Sequence, residues 1–186
     1  MFNFLKRPVI SDYPPFPFYI DLRNRLPRRG LEKLTVLNVG MGEGNSGLAQ
    51  QLYLQKFKRL DIIDVHQPYL DAAKARTWAT DDVHFIFADL RNYLFSGYDL
   101  ILIFDVLEHL KKEESLKILE KIKCKLVIFI PLEEHFRPNV YEVESQNHLS
   151  TWTEQDFKEL GFRTEVLKDF HHEGGLVFPA LWALKN

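Results

Sequence analysis

Apolar residues run along this chain in two rhythms. LTVLNV (34–39), LDIID (60–64), VHFIFA (83–88), YDLILIF (98–104) and KLVIFI (125–130) are short apolar runs that read as strands, and YDLILIF is apolar on both faces, as a strand buried between helix layers is. Between them the apolar positions space out as on helices. NSGLAQQLYLQKF (45–57) places Leu48, Leu52 and Phe57 on a stripe, and PYLDAAKARTWA (68–79) opens with a proline in its first turn. EESLKILEKIK (113–123) is amphipathic. TWTEQDFKELG (151–161) reads as another helix, with Thr151 and Glu154 at capping-box spacing and Gly161 as its stop. FRTEVLKDF and LVFPALWALK, joined by HHEGG, predict a closing β-hairpin. The alternation of strand and helix predicts a parallel sheet with helices on both faces. The fold class is therefore α/β, one doubly wound, Rossmann-like domain over 34–186, with a charge-free core expected beneath it.

Residues 1–33 break the rhythm. Pro8, Pro14, Pro15, Pro17 and Pro27 accompany Tyr13, Phe16, Phe18 and Tyr19, and proline removes donors and fixes the backbone. Extended or turn-like chain is expected, with a short helix in YIDLRNRL. A strap packing its aromatics on the core is the favoured reading. A lid presenting Arg23, Arg25, Arg28 and Arg29 to an acidic substrate is the alternative.

Composition narrows the function classes. A formal net charge of -2 lacks the basic excess of a general polyanion binder, so nucleic acid is not the expected partner. The lone Cys124 excludes an internal disulfide framework and reads as a buried, inert thiol. No apolar run approaches the ~20 residues that span a bilayer, and MFNFLKRPVI lacks signal-peptide architecture. A cytoplasmic location is expected, with no membrane partner.

Ligands of such sheets bind outside the carboxyl ends of the strands. The residues there are Gly40 to Gly44, then Asp64 and His66, then Asp89, then Asp105, Glu108 and His109, and finally Pro131, Glu133, Glu134 and His135. Nearly every strand ends in an acid. The glycines fit two phrases: G-x-G-x-G at Gly40, Gly42 and Gly44, or the dinucleotide G-x-G-x-x-G at Gly42, Gly44 and Gly47. A pyrophosphate on this loop would meet Glu43 and further acids. S-adenosylmethionine carries a net positive charge, which an acidic rim suits, and Gly40 follows the apolar strand directly. The loop is therefore assigned to S-adenosylmethionine, with an NAD(P)-dependent oxidoreductase, favoured only by Gly42, Gly44 and Gly47, as the less favoured alternative.

VLNVGMGEG, DIIDV, FIFADL and YDLILIFDVLEHL, in that order, resemble the successive motifs of class I S-adenosylmethionine-dependent methyltransferases. The resemblance covers nearly everything after Leu34. It implies a seven-stranded sheet, mostly parallel, with an antiparallel C-terminal strand. By the same resemblance, Gly40, Gly42, Glu43 and Gly44 would line the cofactor's methionine part, and Asp64 with Val65 would hold the ribose. Asp89 and Leu90 would meet the adenine, and Asp105 and Val106 would sit near the sulfonium. Asn38 stands where the family usually has an acid. The amide keeps hydrogen bonding but loses charge, which raises a catalytically silent, binding-only relative as an alternative.

Methyl transfer needs an oriented nucleophile and sometimes a proton acceptor. His109 follows the fourth strand and is the candidate base, with Asp105 beside it. Packing under the loop is an equally weighted role for His109. NHLSTW supplies His148, which with Trp152 and Tyr141 can shape an acceptor site. Trp152 as a packing staple and His148 as a loop hydrogen-bonder weigh more heavily. Asp105, Glu108, His109 and His148 are also oxygen and imidazole donors of the kind that bind divalent metal. A related set in RNA-terminal methyltransferases holds magnesium or manganese, but without an RNA-binding basic patch no metal is assigned. His171 and His172 read as solvated turn residues. The sequence thus points to methylation of a small-molecule or glycan acceptor at oxygen or nitrogen. Oligomeric state is not legible in it.

Overall fold

The computed structural model describes residues 22, 25–41, 55–76, 81–132, 147–173 and 176–186. Gly42, Glu43, Gly44, Gly47, the predicted helix at 45–57 apart from its last residues, Glu133, Glu134, His135, Tyr141 and the aromatics of 13–19 lie outside them.

Among the described residues the strands are β1 (Thr35–Val39), β2 (Arg59–Asp64), β3 (Val83–Phe87), β4 (Leu100–Phe104), β5 (Lys125–Pro131), β6 (Arg163–Glu173) and β7 (Leu176–Lys185). They form one seven-stranded sheet in the order β3-β2-β1-β4-β5-β7-β6. The first five are mutually parallel, and β7 runs antiparallel to both β5 and β6. The expected doubly wound sheet with its antiparallel C-terminal strand is what the chain builds.

The strand order reverses between β1 and β4. Two apolar cores fill the faces, as the continuous apolar runs require. One face joins Val36, Ile62, Leu102 and Phe129 with Leu70 and Ala73 of helix α1 (Gln67–Arg76). The other joins Leu37, Ile63, Ile101 and Ile128 with Ile118 and Leu119 of helix α2 (Lys112–Lys121) and Phe157 of α3 (Glu154–Glu159). Leu22 and Leu26, from the segment before β1, are buried in the first core. Arg25 stacks over Trp182 and forks onto Glu165.

Two expectations need correction. The cap of α3 lies two residues later than Thr151 and Glu154 suggest. Thr153 accepts from the Asp156 N–H, and Asp156 Oδ2 accepts from the Thr153 N–H at 2.8 Å. Glu154 instead ion-pairs with Lys158 at 2.9 Å. Both spacings read as Thr-x-x-acid; Trp152 decides between them. It is buried one position before the cap with its ring 5.1 Å from Phe157, a hydrophobic staple that fixes the entry. Gly161, with φ +80, does end the helix.

The strand VHFIFA is β3, at the sheet edge, where His84 and Phe87 are exposed. The interior is not free of charge. Asp61, mid-strand in β2, is only 1% exposed. It accepts from Arg59 Nε at 2.8 Å and Tyr98 Oη at 2.7 Å, and contacts His84 Nδ1 at 2.8 Å. Burial pushes its carboxyl up, but the bonds from Arg59, Tyr98 and His84 outweigh it and hold the group below the ordinary aspartate range.

Candidate functional site

The carboxyl edge of the sheet is laced by backbone bonds that carry one strand tip to the next. Gly40 N donates to Ile63 O at 2.9 Å, Ala88 N to Asp64 O at 3.0 Å, and Asp105 N to Phe129 O at 3.0 Å. β1 therefore ends in a fixed position between β2 and β4, at the reversal of strand order where ligands bind such sheets.

Gly40 has φ +82, and a Cβ there would lie 2.4 Å from Val106 Cγ2. The first loop thus passes directly against the tip of β4, a close approach only glycine allows. Asn38, fully buried, donates from Nδ2 to Gly40 O at 2.7 Å and so holds the turn in place. Its Oδ1 is buried and has no hydrogen-bond partner among the described residues. This is the position where an acid was expected, and the amide still presents an acceptor.

Asp64 is buried at the tip of β2. Its Oδ2 accepts from Met41 N and its Oδ1 from His66 N, each at 2.7 Å. Burial pushes this carboxyl above its usual range against those two backbone bonds. Each oxygen retains a further lone pair. Val65, next along, is exposed. Met41 was not among the sequence candidates, because a backbone N–H leaves no trace in residue type. Asp89 sits at the tip of β3, but its carboxylate is forked by Arg91, with Nη2 at 2.5 Å and Nε at 3.0 Å. Arg91 holds it below the usual range. Leu90 is buried beneath.

Asp105 occupies the left-handed region at φ 49, uncommon for a residue with a side chain and strained by roughly 1–2 kcal/mol. The chain then turns through the short 3-10 segment Leu107–His109. Glu108 is buried, His109 half-buried and His148 buried. The two imidazoles meet at 4.8 Å between centroids and 71° between planes. One donor atom from each of Glu108, His109 and His148 lies within 4.8 Å of the others. Asp105 is not part of that set. Leu149 N and Ser150 N both donate to Glu108 O, at 2.7 and 3.0 Å. Ser115 Oγ and Ser150 Oγ both donate to Leu107 O at 3.1 Å. These two serines were missed at the sequence level, and they bind the 147–150 segment to the tip of β4. His109 Nδ1 lies 3.4 Å from Asn147 O. A carbonyl only accepts, so in this contact Nδ1 bears the proton and the neutral ring keeps its lone pair on Nε2.

Lys111, Lys112, Glu113, Leu149, Ser150 and Thr151 line a shallow cleft of about 470 Å³ beside this cluster. Cys124 is half-buried, and burial raises its thiol pKa, in keeping with an inert residue. No helix among the described residues is long and apolar enough to cross a membrane.

The mostly parallel seven-stranded sheet with its antiparallel C-terminal strand is the fold of the class I methyltransferases. Residues 36–126, just under half of the chain, match the family described as "Methyltransferase domain", and that match together with the fold supports a class I methyltransferase with S-adenosylmethionine as its cofactor. Solved structures agree on the fold. An S-adenosylmethionine-dependent methyltransferase from Leishmania major is 18% identical over 90% of this chain and 71% of its own, with a TM-score of 0.64. The N-methyltransferase NodS from Bradyrhizobium japonicum, solved with S-adenosylhomocysteine, is 18% identical over 90% and 86%, with a TM-score of 0.59. The methyltransferase domain of a bacterial Hen1 is 22% identical over 81% and 88%, with a TM-score of 0.54. No curated protein matches the chain.

Proposed function

We propose that the protein transfers the methyl group of S-adenosylmethionine to an oxygen or nitrogen of a small-molecule or glycan acceptor. The observation carrying this reading is the joining of Gly40, Asp64 and Val106 at the switch point. Gly40 packs on Val106, and the loop residue after it bonds the Asp64 carboxylate. The residues suit the cofactor: Asn38 Oδ1 is an unused buried acceptor, and Asp64 keeps lone pairs for ribose hydroxyls. Gly40 and Asn38 would hold the methionine end, Asp64 and Val65 the ribose, Asp89 and Leu90 the adenine, and Asp105 and Val106 the region of the sulfonium. Gly42, Glu43 and Gly44 would complete the loop.

The cofactor brings a methyl group already activated on sulfur. The chain's own work is to orient the acceptor and take its proton. His109 Nε2 is the proposed proton acceptor, with Nδ1–H turned to Asn147 O. His148 flanks it edge-on and limits where an acceptor can lie. The acidic tips support this cofactor over a pyrophosphate-bearing nicotinamide dinucleotide.

Methyl transfer into a panel of small-molecule and glycan acceptors tests the reading. With a working acceptor, His109→Gln should lower kcat by about 10²–10⁴ with little change in KM. An unchanged kcat would contradict the base role. An inactive protein across the panel would favour the silent, binding-only alternative that Asn38 raises.

A further inference from the structure

We infer that Asn38 is a positioning residue of the cofactor turn, one half of a clamp that needs a donor at position 38 and an acceptor at position 64. The inference deepens the proposed function and rests on it only for the ligand that the turn serves.

The clamp closes on a single peptide unit. Gly40 O and Met41 N belong to one planar group, which rotates as a piece. Asn38 Nδ2 donates to its oxygen at 2.7 Å, and Asp64 Oδ2 accepts from its N–H at 2.7 Å. One side chain comes from β1 and the other from β2, so two paired strands hold the plane from opposite ends. The remaining contacts of the turn fix the chain just before it. Gly40 N donates to Ile63 O, and Gly40 leaves no room for a Cβ beside Val106 Cγ2. A glycine at positive φ restrains the peptide that follows it very little. Among the described residues, the orientation of that peptide is therefore left to Asn38 and Asp64.

The way the amide faces is settled by its chemistry. A carbonyl only accepts, so Nδ2 and not Oδ1 meets Gly40 O. Oδ1 is left buried, with no hydrogen-bond partner among the described residues, as an acceptor for a donor on the ligand.

An acid at this position is not equivalent. Once ionised it has no donor, and it would set a negative oxygen against the Gly40 carbonyl. Asn38 is 0% exposed, and its register partners Ile62 and Leu102 offer no counter-charge. The titratable groups on the adjoining strand tips are Asp64, His66 and Asp105, two of them acids. On the elements packed over this face, Asp71 and Lys74 of α1 are exposed, and Arg25 is forked onto Glu165. Repelled, the peptide turns, its N–H leaves Asp64, and the carboxylate proposed to hold the ribose loses the bond that aims it. The amide is thus what this turn requires rather than a weakened acid.

The test reads the clamp and the cofactor separately, in the full-length protein. In unliganded wild type, NMR is expected to show slow hydrogen exchange at Met41 N–H and at the Asn38 side-chain amide. Fast exchange at either overturns the clamp. S-adenosylhomocysteine is then titrated by calorimetry into wild type, Asn38→Asp and the near-isosteric Asn38→Leu. Relative to wild type at each pH, Asn38→Asp should bind more than about tenfold more weakly near pH 8. It should recover toward about pH 5, as its buried carboxyl gains a proton that can donate to Gly40 O. Asn38→Leu, with no donor at any pH, should stay weak throughout. Equal or tighter binding by Asn38→Asp near pH 8, or a loss without recovery in acid, overturns the inference. Circular dichroism checks folding; if both variants unfold, the wild-type exchange decides. Slow exchange in a wild type that binds no S-adenosylhomocysteine would keep the clamp and contradict the methyltransferase reading. Fast exchange with S-adenosylhomocysteine binding intact would do the reverse.

Discussion

Two carboxylates of this protein are almost equally buried, and their surroundings make them different things. Asp61, inside β2, is enclosed by a guanidinium, a phenol and an imidazole, each within 2.8 Å. Glu108, beyond the tip of β4, faces two imidazoles, with donor atoms up to 4.8 Å apart. The first set is already at hydrogen-bond distance, in mid-strand and away from the ligand edge. The second lies beyond a strand tip, at the edge where ligands bind such sheets. A buried acid therefore signals function through its place in the sheet, not through burial alone.

Breaking the closed set should cost stability and leave the site. Asp61→Ala removes the common acceptor of three donors, and a loss of about 3 kcal/mol is expected, read by urea unfolding. Affinity for S-adenosylhomocysteine should stay within about twofold. A stability change below about 0.5 kcal/mol would contradict the structural role given to this network.

Gly40→Ala tests the ligand edge. The added methyl meets Val106 at 2.4 Å and forces a side chain onto φ +82. About 2 kcal/mol of stability should be lost, with cofactor affinity falling more than tenfold. Val106→Ala in the same chain should recover part of both. A Gly40→Ala protein of unchanged affinity would remove this turn from the cofactor site.

Acid sharpens the contrast further. Asp61 titrates below its unfolded value, so its stabilising contribution is complete above about pH 4 and is lost as pH falls through the depressed folded pKa. Asp64 is shifted the other way by burial. Its contribution is present below the unfolded value and lost as pH rises through the raised folded pKa. Asp61→Asn should therefore destabilise by about 1–2 kcal/mol at pH 7 and by much less near pH 3, in unfolding measured across pH.

The smallest effect concerns the corrected cap. Thr153→Ala should cost about 1 kcal/mol and Thr151→Ala almost nothing, in thermal unfolding.

How much of this was legible in the sequence follows from the range of the forces involved. The strands could be read because both faces of each central strand are apolar, a property of consecutive residues. The glycine turn and the acids at the strand tips could be read for the same reason. The cap of α3 was misplaced because two threonines each precede an acid by three residues, and only the burial of Trp152 against Phe157 chooses between them. Asp61 was illegible: LDIID reads as an ordinary strand until register puts His84 opposite Asp61 and Tyr98 reaches across. Glu108 and His148 could each be singled out as donors, yet nothing local says that Leu149 and Ser150 dock on Glu108 O and bring them together. Asp89 shows the opposite limit. It follows β3, yet a neighbour two residues away, Arg91, occupies its carboxylate.

The central claim is that the β1 turn and its neighbouring tips hold S-adenosylmethionine. Calorimetric titration of S-adenosylhomocysteine into the full-length protein, with NADH as the parallel control, tests it most directly. Saturable binding near one equivalent, weakened by Gly40→Ala and by Asp64→Ala, with no response to NADH, is the predicted result. Binding of NADH instead, or no binding of either, would contradict it.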